Sequence, residues 1–232
     1  MGERTVGDAW GQALLDHLDG RPVDGVELEV DDGTVVPAMH PEWFFREPAA
    51  WEPEERALVD LISAGPVLDL GAGAGRVALH LQRRDLDVTA VESSPGAADV
   101  CRRRGVRDVR VHDLNDPPAD QRWSTVLLLC GNLGLGGSWH GNRRLLQRLA
   151  AACAPDALLI ADSVNDESRM SVGLRIRYGD LVTPWWRQRN VRADEVEALA
   201  EGTGWVVERH VEATNGGDHY VAFRLPSDGV AR

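Results

Sequence analysis

The stretch Pro66-Val67-Leu68-Asp69-Leu70-Gly71-Ala72-Gly73-Ala74-Gly75-Arg76-Val77-Ala78-Leu79-His80-Leu81 decides the fold. Val67, Leu68 and Leu70 form a short apolar run bounded by turn residues, which predicts a fully buried strand. Glycines follow at positions 71, 73 and 75, and Val77, Ala78 and Leu81 then fall on one helical face. Strand, glycine turn and helix make the entry unit of a nucleotide-binding α/β fold. Glycines remove the Cβ atoms that would hold a ligand away from the backbone, and the helix N-terminus aims its amides at that ligand.

Asp69 stands two residues before the first glycine, at the mouth of the buried strand, where an unpaired charge is costly. Either amides of the turn satisfy it or a cationic group on the ligand does. The pattern Asp-x-Gly-x-Gly-x-Gly resembles motif I of the class I S-adenosylmethionine-dependent methyltransferases. The resemblance implies that Asp69, Gly71, Ala72, Gly73 and Gly75 hold the methionine end of S-adenosyl-L-methionine. The nicotinamide fingerprint Gly-x-Gly-x-x-Gly needs Gly or Ala at position 76, and Arg76 stands there.

Downstream, apolar runs predict strands at Asp87–Val91, Val109–Val111, Ser124–Cys130 and Ala157–Ala161, with helices between them. Ser94-Pro95 starts one helix and Gly105 ends it; Leu145, Leu146, Leu149 and Cys153 mark another. Trp205–Val211 and Tyr220–Leu225 flank Asn215-Gly216-Gly217-Asp218, so the chain ends in an antiparallel hairpin. The expected fold is α/β: a Rossmann-like, seven-stranded, mostly parallel sheet with that hairpin, helices on both faces and a small N-terminal cap. The resemblance covers roughly residues 55–225 and agrees with the reversed last strand of the class I sheet.

Glu92 ends the second strand, where a carboxylate can accept both hydroxyl protons of a ribose. The resemblance gives Glu92, with Ser93, the ribose of the cofactor, and gives Asp113, with His112 and Leu114, its adenine. Cys130, Gly131 and Asn132 end the fourth strand and face the transferred methyl in that family. Gly131 precedes Asn132, and Gly134, Gly136 and Gly137 follow it, a pattern similar to that of a group of small bacterial methyltransferases. The Pro-Pro of some family members is missing, so their adenine- or amide-nitrogen chemistry is not implied. His140 and His40 are general-base candidates. Each reads more readily as a surface histidine, and no catalytic residue is assigned.

Upstream, Val6–Leu18 has helical spacing and Val26–Val36 reads as a hairpin about Asp31-Asp32-Gly33-Thr34. Pro37–Trp51 is too aromatic to be a free linker. It either plugs the core or roofs the ligand, so Trp43 and Phe44 become substrate-binding candidates. Pro53 opens a helix that ends near Ala64. Between the fifth strand and the last helix, residues 164–190 are too long for an ordinary connection. Strand alternation there puts Arg175 and Arg177 on one face and splits Trp185 from Trp186. The segment is expected to be a substrate lid, with Arg177 contacting a polar or anionic acceptor. The division is therefore 1–52 as cap and 53–232 as methyltransferase domain, with 164–190 as lid.

The 232 residues suffice for one such domain. The net charge is −12, and all 25 basic residues are arginine, which excludes any lysine-based chemistry and argues against a nucleic-acid partner. The run Arg102–Arg104 fits the last turn of a helix, where the helix dipole favours it. Three isolated cysteines read as buried thiols, and no histidine has metal-ligand spacing, so no metal is expected. Without a signal core or membrane-spanning run, a cytoplasmic monomer or homodimer is expected. The sequence supports S-adenosylmethionine-dependent methyl transfer to a small-molecule substrate. The alternatives are another S-adenosylmethionine-using transferase or cyclase and, opposed by Arg76, an NAD(P)-binding oxidoreductase.

Overall fold

A computed structural model describes residues 4–165, 171–214 and 217–227. Strand β1 (Thr5–Val6) and helix α1 (Ala9–Leu18) open the chain. The hairpin β2 (Glu27–Val30) and β3 (Val35–Pro37) follows. Two 3-10 turns, Pro41–Phe45 and Pro48–Ala50, carry the aromatic segment to α2 (Pro53–Val59). Next come β4 (Val67–Leu70), α3 (Arg76–Gln82), β5 (Val88–Glu92), α4 (Pro95–Arg104) and β6 (Asp108–Val111). Then β7 (Trp123–Leu128), α5 (Trp139–Ala152) and the long β8 (Cys153–Val164) complete the parallel set. The chain ends with β9 (Val172–Tyr178), β10 (Leu181–Val182), β11 (Trp186–Gln188), α6 (Val196–Ala200), β12 (Val206–Glu212) and β13 (Asp218–Arg224).

Seven strands form the main sheet in the order β12-β13-β8-β7-β4-β5-β6. All neighbours pair in parallel except β13, which runs antiparallel to both β8 and β12. Strands β4 and β5 are buried at every residue, as sheet centre strands covered on both faces must be. Alternation then divides β7. Val126 and Leu128 pack with Leu145, Leu149 and Leu199 on one side; Leu127 packs with Leu58, Val77 and Leu81 on the other. Helix α2 is shorter than its sequence suggests, ending at Val59. Of the terminal hairpin's turn, Asn215 and Gly216 lie outside the described residues, as do 166–170 of the insertion.

A second sheet joins two segments that the sequence presents as unrelated. Strand β2 pairs with β3 on one side and with β9 on the other, and β10 and β11 share the far edge of β9. Glu27 lies opposite Arg177 and Glu29 opposite Arg175, while Leu28 lies opposite Ile176 and Val30 opposite Leu174. Complementary charges thus line up on one face and apolar groups on the other, which fixes the register. Among the described residues no helix is long and apolar enough to cross a membrane.

Candidate functional site

The glycine turn leaves β4 with positive φ at Gly71, Gly73 and Gly75 (83°, 58° and 75°). Gly75 caps α3, and a Cβ there would lie 2.8 Å from Val106 Cγ2 and 3.1 Å from Cys101 Sγ. Position 75 therefore demands glycine both for its left-handed backbone and for the packing of turn against α4. The Gly73 amide donates to Glu92 Oε2 at 2.9 Å. Asn132 reaches across from the end of β7, its Nδ2 donating to the Leu70 carbonyl at 3.1 Å. Three strand ends are thereby tied together around the turn.

Two buried carboxylates behave differently there. Glu92 also accepts the amides of Ser93 (2.8 Å) and Ser94 (3.1 Å). Burial raises its pKa and the three amides pull it back. Asp69 is 4% exposed, and its Oδ2 has no hydrogen-bond partner. Burial pushes Asp69 up to about 7, against the lowering effect of Arg76 and with a further push from Glu92. An Oδ2 without a partner beneath a glycine turn is an acceptor that a cationic ligand group on the other side would engage and hold in its charged form.

Arg76 does not enter the site. Its Nη2 donates to Glu55 Oε1 at 2.5 Å, both side chains buried, and its guanidinium stacks 4.0 Å from the Trp43 ring centroid and 4.9 Å from that of Trp51. The aromatic segment is core and roof at once: Trp43 is turned onto Arg76, whereas Phe44 lines the cavity above Gly73.

After β7 the chain turns sharply through Cys130 (φ 67°) and Gly131 (φ 77°). A left-handed non-glycine residue is a strained feature held by its surroundings. The Gly131 amide donates to Asp162 Oδ1 at 3.0 Å, and Gln188 Nε2 donates to the Gly131 carbonyl at 2.6 Å. Burial pushes Asp162 up to about 8. The Cys130 thiol is pushed far above its ordinary value by the same cause.

These pieces floor a cavity of about 1070 Å³ at the carboxyl ends of the parallel strands. Ligand pockets typically span roughly 300–1,000 Å³, so this one has room for two partners side by side. Gly71, Gly73, Glu92, Asp113 and Asn132 lie on the floor; Leu28, Val36, Leu174, Ile176 and Trp186 of the second sheet form a canopy.

Residues 67–156 match the family described as methyltransferase domain. The matched segment, from β4 into β8, is similar to a methyltransferase domain. Among curated proteins none matches the chain. Among solved structures, the chain is similar to a SAM-dependent methyltransferase from Bacteroides fragilis in complex with S-adenosyl-L-homocysteine. That likeness has 22% identity and a TM-score of 0.82, over 97% of this chain and 99% of that one. It is also similar to the CcbJ methyltransferase of Streptomyces caelestis (17% identity, TM-score 0.66, 94% and 98% covered). A third is the 1,6-didemethyltoxoflavin-N1-methyltransferase of Burkholderia thailandensis (18%, 0.53, 75% and 79%). At such identities the likeness is one of fold, and the fold is that of class I methyltransferases.

Of the residues that the sequence singles out, the fold brings Phe44, Gly71, Gly73, Glu92, Ser93, Asp113, Leu114, Cys130, Gly131 and Asn132 onto one cavity. Asp69, Ala72 and Gly75 lie beneath or beside the turn and do not line it, and neither does His112, which is exposed and lies 3.9 Å from Asp116. Trp43 stacks on Arg76 instead. Arg177 is turned outward, its guanidinium within 3.5 Å of Glu27 and 3.7 Å of Glu29, so the acceptor contact expected of it gives way to a cross-strand ion pair. His140 is exposed at the start of α5.

Two residues that build the site escape sequence reading. Asp8 caps α1 through the Gly11 amide (2.9 Å) and also accepts from Ser94 Oγ (2.8 Å) and the Gly96 amide (2.7 Å). It thus latches α1 onto α4 beside Glu92. Arg104 is the second. It donates to the carbonyls of Ala74 (2.5 Å) and Phe44 (3.3 Å) and stacks on Phe45, where the sequence offers only a helix-dipole role for the arginine run. Only Asp8 carries a local signal, an acid at a helix start, and that signal names one of its partners.

Proposed function

We propose that this methyltransferase transfers a methyl group from S-adenosyl-L-methionine to a small-molecule acceptor. The observation that carries the proposal is the convergence of the glycine turn, Glu92, Asp113 and Asn132 on one cavity at consecutive strand ends. The turn and the unpaired Asp69 oxygen beneath it suit the cationic methionine end; Glu92 suits the ribose hydroxyls and Asp113 the adenine edge. S-adenosylmethionine supplies an electrophilic methyl on a sulfonium, which needs an acceptor held in line more than it needs acid or base. The cavity fits that need. Its titratable groups have structural partners: Asp8 and Glu92 accept backbone amides, Asp113 accepts the Asn115 amide at 2.9 Å, and the Cys130 thiol stays protonated. The chain's own contribution is placement and exclusion of water.

On this proposal residues 1–52 and 164–190 cap the domain formed by 53–232, with the canopy over the acceptor. The acidic, lysine-free composition argues against a nucleic-acid partner; a cytoplasmic enzyme, monomeric or homodimeric, completes the proposal. The test is release of S-adenosylhomocysteine from S-adenosylmethionine in the presence of a panel of small amines, phenols, thiols and carbon acids. Acceptor-dependent release is expected. A fluorescent shift with NADP and hydride transfer in its place would give the site to an oxidoreductase.

A further inference from the structure

We infer that the acceptor is an apolar molecule, neutral or cationic, seated against the inner face of the canopy, with Leu28, Ile176 and Trp186 selecting it. The inference rests on the methyltransferase reading of the floor and adds the substrate class. Alternation along β2 and β9 sends Leu28, Leu174 and Ile176 toward the cavity, and Trp186 lies opposite Leu174 on the same face. The charges of these strands go the other way. Arg175 Nε meets Glu29 Oε2 at 2.8 Å and Arg177 Nε meets Glu27 Oε2 at 3.5 Å, both pairs on the outer face.

Two of the polar groups beside the canopy's inner face are already engaged. Thr183 Oγ1 accepts the Ile176 amide at 2.9 Å, and Gln188 Nε2 donates to the Gly131 carbonyl at 2.6 Å. Arg187 stays at the rim, 61% exposed in its side chain and 3.6 Å from Asp31. A polar acceptor body would lose water against Leu28, Leu174 and Ile176 without gaining partners there.

The sign of the acceptor's charge follows from the opposite wall. The floor presents Glu92 and Asp113, with Asp8 at its edge. An anion entering between an apolar canopy and these carboxylates meets repulsion that a neutral or cationic molecule does not. Both walls exclude the same class.

The probe pair N-phenyl-1-naphthylamine and 8-anilinonaphthalene-1-sulfonate tests this directly, because the two share their rings and differ by one sulfonate. Fluorescence titration of the full chain with S-adenosylhomocysteine present should show the amine binding about tenfold or more tighter than the sulfonate. Leu28→Asp should weaken the amine about tenfold while calorimetric affinity for S-adenosylhomocysteine stays within about twofold. Should that variant not fold, Leu28→Ser with the same readouts takes its place. Equal or tighter binding of the sulfonate, absence of amine binding, or an amine affinity untouched by substitution at Leu28 would overturn the inference. Failure of S-adenosylhomocysteine to bind the wild type is a different result and overturns the reading of the floor itself.

Discussion

The floor of the cavity and its canopy hold their charges in opposite ways. The floor buries carboxylates with few cations: Asp69 has an oxygen without a partner, and Asp162 has the Gly131 amide. The canopy pairs each acid with an arginine across the strand and turns the pairs outward. One surface is left electrically hungry and the other is neutralised. The floor is thus built to be completed by a charged ligand, the canopy to receive an apolar body by contact.

The largest break in this contrast should come at Gly75→Val. A left-handed backbone costs a branched residue about 1–2 kcal/mol, and the clash with Val106 and Cys101 adds overpacking of about 1–3 kcal/mol. Scanning calorimetry should find the melting temperature lowered by several degrees, with S-adenosylhomocysteine binding abolished. A variant that melts and binds like the wild type would separate the turn from the site.

Trp186→Ala should act on the canopy alone. Acceptor KM is expected to rise about tenfold, or about 1.4 kcal/mol, with cofactor affinity within about twofold. Trp185, half-exposed with Arg175 4.5 Å from its ring, should tolerate the same change. Equal effects at the two tryptophans would mean that the inner face is not the acceptor's wall.

A smaller effect follows from the unpaired acids. The folded-state pKa values of Asp69 and Asp162, about 7 and about 8, lie above the ordinary aspartate value of 3.8. Groups raised in this way favour the folded state fully below their unfolded pKa and lose that contribution as pH rises through the folded one. The ligand-free protein should therefore melt lower at pH 9 than at pH 7, and Asp162→Asn should flatten that slope. A profile rising over this window would mean that both acids are ionised and compensated.

Smallest of all, Arg177→Gln removes half of a partly exposed ion pair, worth about 0–1 kcal/mol. Neither acceptor KM nor cofactor affinity should move beyond about twofold. A tenfold rise in acceptor KM would bring Arg177 back to the substrate.

The same contrast explains what was legible in the sequence. Val67–Leu70 and Gly71–Gly75 announce themselves locally, because a buried centre strand is a continuous apolar run and a left-handed turn needs glycine. Glu92 and Asp113 follow once the strands are counted. The canopy has no such signature. Alternation at Arg175 and Arg177 says that they share a face, but which face is decided by Glu27 and Glu29, and the Arg175–Glu29 contact spans 146 residues. Asp8 is legible as a helix cap, yet its contacts to Ser94 and Gly96 exist only because α1 lies on α4.

Calorimetric titration of wild type and Glu92→Ala with S-adenosylhomocysteine, with NAD as control, tests the central claim most directly. One site is expected on the wild type and no heat with NAD. In the variant, loss of hydrogen bonds to a carboxylate worth about 1.5–3 kcal/mol each should lower affinity on the order of a hundredfold. Unchanged affinity at Glu92→Ala, or saturable binding of NAD in place of S-adenosylhomocysteine, would contradict the account.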